Sequence, residues 1–477
     1  MKEGYLPEAE RKKILLLSDD IRMNSGIATM AREIVVGTSH RFNWVNIGGG
    51  IKHPEHGKRF DISQDTNTHN DITDSNVFLY ACDGYGNPEI LRQVIELEKP
   101  DAIMFFTDPR YWIWLFQMEA ELRKKYPLIY LNIWDDLPAP LYNESFYDSC
   151  DCLMAISKQT LNINKVVLGP KQEGKILKYV PHGINEKHFF PIDKADANFT
   201  AFKKSVLGDK EYDFVVFYNA RNLHRKATSN LILAYSQFCE KIGKEKASKT
   251  VLLLHTQPID DNGTDLFAVR DLVCNPDSGN VVFVDRLLST PEMNYLYNMS
   301  DVTALISSNE GWGLSLTESL ITGKMIIANA TGGMQDQMRF EDSDGKWIDF
   351  DADFCSNHYG TFKKHGEWAV PVYPSNLSLV GSPPTPYIFD DRCDFRDVAK
   401  AIEEVYTLPK IERESKGMKG REWVLGTEAM MTAANMCSNV IGAIEETFST
   451  FKPKKKFELI KIQDQPRKAL RHKLIYE

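Results

Sequence analysis

Short apolar runs alternate with amphipathic stretches along most of the chain. In the first third, residues 13–18, 102–106 and 128–133 are apolar runs of the length of buried strands. Residues 27–36 and 119–125 instead carry apolar positions at helical spacing. Strands that alternate with helices predict βαβ units and therefore a parallel sheet.

A second series begins after Pro181-His182-Gly183-Ile184, where proline and glycine favour a hinge. Beyond it the pattern predicts strands at 214–219, 250–254, 281–284, 304–307 and 325–328, and helices at 229–242, 314–321 and 395–406. The fold class predicted is α/β, with two doubly wound, Rossmann-like domains. We expect the first domain to span residues 1–181 and the second to span residues 182–426.

Three segments depart from this rhythm. Residues 339–392 hold several aromatic residues, prolines and an acidic cluster, and we interpret them as an insertion within the second domain. Residues 427–450 carry apolar positions three and four apart, which predicts a long helix. The basic tail, residues 451–477, holds nine Lys/Arg against three Asp/Glu.

Composition narrows the class of protein. No apolar run approaches the roughly 18 residues of a membrane helix. The net charge of −9 argues against a chain that binds nucleic acid over its whole surface. The eight cysteines are scattered and form no CxxC pair, which is typical of a reducing compartment. We therefore expect a cytoplasmic protein.

The strongest candidate site is the run from Glu310 to Glu318, which follows a predicted strand and opens a predicted helix. Its glycines let the backbone approach a ligand closely. Free amides at Gly313 and Leu314 can receive a diphosphate. Glu318 lies about one turn inside the helix, where a carboxylate can bridge two vicinal ribose hydroxyls. A single loop of this kind is more often structural.

Two further loops change that balance. Arg221 and Lys226 follow the first strand of the second domain and suit a diphosphate, because fixed cations stabilise a departing nucleoside diphosphate. Gly332 and Gly333 follow the strand at 325–328. Ligands gather at the carboxyl edge of open parallel sheets, so three such loops favour an anionic ligand.

These residues together resemble the donor half of retaining family-four glycosyltransferases. The matching features are Arg221 and Lys226 five apart, Glu310 and Glu318 eight apart, the Gly332-Gly333 pair and the hinge. The resemblance implies a GT-B fold, two Rossmann-like domains facing a cleft, with the last long helix crossing back to the first domain. It also implies a UDP- or GDP-linked sugar as donor, transfer with retention of configuration, and no metal.

The resemblance assigns roles residue by residue. Arg221 and Lys226 would hold the diphosphate, and Glu318 the ribose. Glu310 would lie beside the transferred sugar. Further donor contacts would come from backbone near the glycine loops: Gly313, Leu314, Gly333 and, in the first domain, Gly26.

The first domain is expected to supply the acceptor side. Only one glycine, Gly26, remains where the family has a glycine-rich loop. Trp134 stands where the family commonly has a histidine near the donor sugar. Asp108 and Asp135 are candidates, with Glu310, for catalysis through contact with a sugar or attacking hydroxyl. The alternative, an aspartate that caps a helix or turn, stays open for both.

The acceptor is left open. A glycan or lipid-linked saccharide is the family's usual acceptor, whereas virus-encoded relatives glycosylate hydroxymethylated bases of DNA, which would place the enzyme in a host cytoplasm. A non-catalytic nucleotide-sugar binding protein and an epimerase are further alternatives. The basic tail suits a solvated terminus, a nucleic-acid contact or an anionic membrane surface.

Overall fold

The computed structural model describes residues 4–50, 52–275, 280–354 and 356–454. Its first half contains the strands β1 Lys12–Asp19, β2 Phe42–Gly50, β3 Arg59–Asp61, β4 Val77–Asp83, β5 Ala102–Phe106, β6 Leu128–Asn132, β7 Cys152–Ala155 and β8 Ile176–Tyr179. The helices of this half are α1 Gly26–Thr38, α2 Ser63–Asn70, α3 Pro88–Glu98, α4 Ile113–Gln117, α5 Glu119–Leu122, α6 Glu144–Asp148 and α7 Lys158–Leu168.

These strands form one sheet in the order β3-β4-β2-β1-β5-β6-β7-β8. Every pair is parallel except β3 with β4. The residues of β1 from Ile14 to Leu17 are buried on both faces of the sheet. Helices must therefore cover both faces, as in other doubly wound sheets.

The second half contains the strands β9 Phe214–Asn219, β10 Thr250–His255, β11 Asn280–Val284, β12 Val302–Leu305, β13 Met325–Asn329, β14 Ala369–Val372, β15 Asn376–Ser382 and β16 Thr385–Arg392. Its helices are α8 Ala197–Leu207, α9 Thr228–Ile242, α10 Lys244–Ala247, α11 Leu266–Val273, α12 Thr290–Met299, α13 Leu314–Ile321, α14 Met334–Met338, α15 Phe395–Thr407, α16 Lys410–Leu425 and α17 Ala433–Thr450. Six strands form a parallel sheet in the order β11-β10-β9-β12-β13-β14, and β15 pairs with β16 in an antiparallel hairpin.

The predicted fold class is confirmed, since two parallel-sheet Rossmann-like domains follow one another along the chain. The segment 339–392, interpreted as an insertion, is partly regular. It supplies β14 to the edge of the second sheet, and β15 and β16 form the hairpin. Short strands between prolines and aromatic residues lack the long apolar run that marks the central strands.

The chain crosses between the two halves twice, and the crossings pair with each other. Ile184 donates its amide to Met431 O at 3.0 Å, and Ala433 donates to Ile184 O at 3.0 Å. From there α17 packs against α1 of the first half. The contact is close, because a Cβ at Gly37 on α1 would lie 2.4 Å from Cys437 Sγ.

A seam of hydrogen bonds also joins the halves away from the hinge. Lys158 donates its amide to Asp336 Oδ2 at 2.9 Å, and Asn162 Nδ2 donates to Asp351 O at 2.5 Å. In the hairpin, Phe389 donates its amide to Leu137 O at 2.8 Å. The segment after β13 therefore bridges the cleft between the sheets.

Within the described ranges, no helix combines the length and apolar character needed to cross a membrane. No cysteine in those ranges forms a disulfide. Of the predicted basic tail, residues 455–477 lie outside the described part of the chain. Just before them, Lys454 donates its amide to Arg123 O at 2.8 Å, so the chain leaves α17 along the first half.

Replacing glycine by alanine is expected to have opposite effects at two positions. At Gly183 an added Cβ would lie 2.1 Å from Thr432 O, so the crossing must shift, and G183A should destabilise the chain by roughly 1–3 kcal/mol. At Gly442, on the exposed side of α17, nothing lies within 4 Å, and G442A should stabilise the chain by roughly 0.5–1 kcal/mol. Denaturant unfolding measures both, and equal stability of the two variants would contradict this account of the crossing.

Candidate active site

Two helix starts face each other across the cleft. Helix α1 begins at Gly26 and α13 begins at Leu314, and a Cβ on Gly26 would lie 3.4 Å from Leu314 Cδ1. Ser25 caps α1 by accepting a hydrogen bond from Ala28 N at 3.0 Å. The first turn of a helix carries unpaired amides and partial positive charge, so this pair of helix starts suits an anion.

The glycine loops pack backbone against backbone. Gly313 precedes α13 with φ +86°, a left-handed conformation that glycine adopts without strain. A Cβ on Gly332 would lie 2.2 Å from Glu310 O, and one on Gly333 would lie 2.0 Å from Gly311 O. Side chains at these positions would push the loop after β12 away from the loop after β13.

Glu310 holds two cations at the centre of the cleft. Lys226 Nζ donates a hydrogen bond to Glu310 Oε2, and Arg225 Nη1 lies 3.2 Å from the same oxygen. Burial by itself would raise the pKa of Glu310, but Lys226 and Arg225 outweigh it and lower the pKa to about 2. Burial and the neighbouring Arg225 lower the pKa of Lys226 to about 8, against the attraction of Glu310. Both members of the pair are charged at neutral pH.

Asp135 approaches this cluster from the first half, just after β6. Burial raises its pKa to about 6, with Arg225 lowering it and Glu310 raising it. A Cβ on Gly332 would lie 3.1 Å from Asp135 O, which shows how closely the two halves meet here. Asp135 and Glu310 are therefore acidic groups from opposite walls of one cleft.

Asp108 interacts mainly with residues that follow it directly in the chain. It caps the short turn Pro109–Trp112 by accepting a hydrogen bond from Arg110 N at 3.0 Å, and Arg110 Nε lies 3.4 Å from its other oxygen. Burial raises the pKa of Asp108. One carboxylate oxygen of Asp108 therefore caps a turn, as the structural alternative expects, while the charge of Asp108 also acts on Asp135.

Arg221 does not lie with Lys226 in this structure. Its side chain is 60% exposed, and its Nε pairs with Asp260 Oδ2 at 2.7 Å. The two cations predicted to grip one diphosphate therefore hold different carboxylates. Both residues follow the same strand, β9, so they leave the sheet at the same edge.

Glu318 ends a buried hydrogen-bond network on α13. The hydroxyl of Tyr297 donates to Glu318 Oε2, and Asn219 Nδ2 donates to the Tyr297 hydroxyl at 2.9 Å. His255 Nδ1 lies 2.8 Å from Asn219 Oδ1. Burial raises the pKa of Glu318 to about 7, although Tyr297 and Asn219 lower it.

Several residues of this site were missed by reasoning from the sequence. Asn219 and His255 end β9 and β10, and that position at the carboxyl edge of the sheet was a signal that could have found them. Tyr297 is a fully buried aromatic residue on α12, which in a sequence is typical of a core position. Arg225 was visible only as part of a basic run.

Trp134 does not point toward the cluster. Its indole is 5% exposed, Nε1 donates to Asp136 O at 2.8 Å, and its ring packs against Tyr142. It is part of the core of the first half. The side chain that faces Arg225 and Glu310 from this loop is that of the next residue, Asp135.

The arrangement can bind a ligand with two negative charges and a hydroxyl-bearing group. Helix starts and Lys226 supply the positive side, and Glu318 can accept hydrogen bonds from vicinal hydroxyls. Among the described residues, no group of three or more His, Cys, Asp or Glu side chains is placed to hold a metal ion.

Comparison with known proteins agrees with this geometry. Residues 199–353 match the family described as Glycosyl transferases group 1. That range includes Arg221, Lys226, Glu310, Glu318 and Gly333. A search of curated protein sequences finds no match.

Solved structures share the fold over most of the chain. Sucrose-phosphate synthase from Thermosynechococcus elongatus is similar with a TM-score of 0.65 and 15% identity, covering 92% of this chain and 100% of that one. HepE from Anabaena, in complex with UDP and glucose, is similar with a TM-score of 0.62 and 13% identity, covering 91% and 100%. The α,α-trehalose-phosphate synthase (UDP-forming) from Burkholderia xenovorans, in complex with glucose-6-phosphate, is similar with a TM-score of 0.60 and 12% identity, covering 91% and 100%.

Identities this low show the fold, and the matched family shows the class of enzyme. The chain is a glycosyltransferase with the two-domain GT-B fold, and its residues 199–353 are the part that matches the group 1 family.

Proposed function

We propose that this chain transfers a sugar from a nucleotide-diphosphate sugar to an acceptor hydroxyl with retention of configuration. The observation that carries the proposal is the convergence of the α1 and α13 starts, Lys226 and Glu318 on one cleft between the sheets. Cations and helix amides fit a diphosphate, and a buried carboxylate one helical turn away fits a ribose.

The negatively charged diphosphate determines where the donor binds. Its diphosphate lies at the start of α13 and takes Lys226 from Glu310. Arg221 is exposed and turns from Asp260 to the same phosphates. The ribose hydroxyls donate to Glu318, and the transferred sugar lies between Glu310 and Asp135.

Transfer then proceeds on one face of the sugar. The acceptor oxygen bonds to the anomeric carbon on the face from which the phosphate oxygen departs, and that oxygen leaves with the electron pair of the broken bond. The acceptor proton passes to the departing phosphate. Lys226 and the α13 amides stabilise the diphosphate as its charge grows. Asp135 orients the acceptor hydroxyl, and Asp108 supports Asp135 through its charge.

The acceptor we propose is a saccharide. The structural neighbour that supports it is a trehalose-phosphate synthase, described in complex with glucose-6-phosphate. HepE, described in complex with UDP-glucose, supports the nucleotide-sugar donor. Nothing in the described ranges favours a DNA acceptor over a saccharide. We propose that the protein resides in a reducing cytoplasm. In the described ranges its cysteines are buried or half-buried free thiols and form no disulfides.

Binding and stereochemistry test the proposal together. With a chelator present, UDP-glucose or GDP-glucose should raise the melting temperature, because a ligand of the native state stabilises it by mass action. On slow hydrolysis of the α-linked donor, proton NMR should show α-glucose as the first product, as retention requires. E318A should abolish the thermal shift, since it removes the carboxylate expected to hold the ribose.

Glu292 provides a matched control for Glu318, because it also lies in a helix of the second half but, among the described residues, forms hydrogen bonds with Ser289 and Arg286 alone. Relative to its own melting temperature without ligand, E292A should show the same rise on donor binding as the wild-type chain. An E318A variant that binds the donor as well as the wild-type chain does would disprove the donor assignment. β-Glucose as the first product would disprove retention.

Donor affinity should depend on pH through Glu318. The pKa of this carboxyl is raised to about 7 by burial, so it is ionised above that pH and protonated below it. Ribose hydroxyls donate to the ionised form. The Kd for UDP-glucose should therefore rise about tenfold per pH unit as the pH falls below 7. Calorimetry between pH 5.5 and 8.5 measures the Kd at each pH. E318Q should bind weakly, and its Kd should not rise in this way at low pH. A wild-type Kd independent of pH in this range would exclude this role for Glu318.

Lys226 should act more in the reaction than in binding. Removing one fixed donor to a developing negative charge typically lowers kcat about 10²–10³-fold, and K226Q should fall in this range for donor hydrolysis. Lys400, an exposed lysine paired with Asp397 on α15, offers a control, and K400Q should keep the wild-type rate. A K226Q enzyme with unchanged kcat would show that Lys226 does not face the leaving group.

A further inference from the structure

Arg225 interacts with two carboxylates that belong to opposite halves of the molecule. Its Nη1 donates to Asn309 O at 2.8 Å and lies 3.2 Å from Glu310 Oε2. Its positive charge also acts on Asp135, whose charged form it favours. The side chain as a whole is 39% exposed.

The charges of the cleft balance before any donor arrives. Three carboxylates face three cations there: Asp108, Asp135 and Glu310 against Arg110, Arg225 and Lys226. Arg110 is held by Asp108 at 3.4 Å. Lys226 and Arg225 are both held by Glu310. Glu310 thus has two cations, whereas Asp135 shares one of them.

A donor diphosphate changes this balance. It brings about two negative charges into the cleft and draws Lys226 away from Glu310. Two buried carboxylates then depend on Arg225 alone. Without a cation they could not both stay ionised at this separation, because like charges in a buried site favour protonation of one.

Building on the proposed function, we propose that Arg225 is a positioning residue that keeps Glu310 and Asp135 ionised when Lys226 turns to the donor diphosphate. Arginine suits this position because a guanidinium remains charged when buried and presents several donors in a fixed fork. Its anchor on Asn309 O holds it in place while its neighbour along the chain, Lys226, changes partner. In the described part of the chain Nη1 makes the contacts with both Asn309 O and Glu310, which leaves the other guanidinium donors available.

Other charged groups near Asp135 do not replace Arg225. Asp135 is faced from the first half by Asp108, Arg110 and Asp136, and from the second half by Arg225, Lys226 and Glu310. Arg110 is committed to Asp108, and Lys226 is the cation that departs. The other three groups are carboxyl groups, which repel Asp135 when they are ionised.

The number of protons taken up on binding measures this role. Calorimetry of UDP-glucose binding in two buffers of different ionisation enthalpy gives that number between pH 6 and 9, with GDP-glucose as the probe if UDP-glucose does not bind. R225Q should take up more protons than the wild-type chain, by about half a proton or more at some pH in this range. R225K keeps the charge and should take up close to the wild-type number. A merely structural role would weaken binding and leave the proton number unchanged.

Two variants separate the causes. R396Q removes an exposed arginine that pairs with Asp394 on the surface, and it should bind with the wild-type proton number. R225Q/E310Q removes the cation and one carboxylate together, so it should also lose the extra proton. If R225Q does not fold, R225M removes the same charge, keeps an apolar side chain in place of the arginine stem, and should show the same extra proton.

The outcomes distinguish this inference from the proposed function. Failure of the wild-type chain to bind either nucleotide sugar would overturn the proposed function and, with it, this role. If the wild-type chain binds and R225Q takes up the same number of protons, the role of Arg225 is overturned and the proposed function stands. An extra proton that persists in R225Q/E310Q would overturn the assignment to Glu310.

Discussion

Charge pairing on the second-half wall of the cleft is the interaction on which the site depends. A carboxylate or ammonium taken out of water costs several kcal/mol unless a partner of opposite charge is in hydrogen-bond contact. Glu310 meets that requirement through Lys226 and Arg225, and each of these residues lies on a loop at the carboxyl edge of the second sheet. The loops after β9 and β12 are therefore held in register by the same groups that would bind a donor.

Close backbone packing fixes the distances between the loops more tightly than charge pairing does. The loops after β12 and β13 approach so closely that a methyl group at Gly332 or Gly333 would overlap a carbonyl oxygen. The first half joins this contact as well, because a Cβ on Gly311 would lie 2.8 Å from Ile133 O. Glycines here fix the spacing between the two walls of the cleft, and the positions of Glu310 and Asp135 follow from that spacing.

Local signals in the sequence were sufficient for much of the second half. The helix predicted at 314–321 coincides with α13, because glycines before it and an apolar stripe within it define both its start and its face. Strand β2 was missed because Asn43, Asn46 and the glycines at 48–50 interrupt its apolar pattern, although the strand is buried between β1 and β4. Polar residues are tolerated there because hydrogen bonds satisfy them, as Asn46 Nδ2 does with Leu16 O at 3.2 Å.

The partners of the site residues could not be predicted in the same way. Spacing identified Arg221, Lys226, Glu310 and Glu318, but a spacing does not say which carboxylate holds which cation. Asp260 holds Arg221 from 39 residues away, and Tyr297 reaches Glu318 from the preceding helix, α12. Such pairs depend on how strands are ordered in the sheet, which is set by contacts distant in the sequence.

The electrostatics of the cleft also bear on the separation of the two halves. Asp135 and Glu310 belong to different halves, so their repulsion opposes closure, while the attraction of Arg225 for Asp135 favours it. The seam bonds from Asp336, Asp351 and Phe389 act in the same direction as Arg225 and do not involve the charged centre. Opening at the hinge would break the seam and separate Arg225 from Asp135 at once. Closure also takes Asp135 out of water, and this burial outweighs Arg225 and raises the pKa of the carboxyl to about 6. The protonation of Asp135 and the width of the cleft are therefore linked.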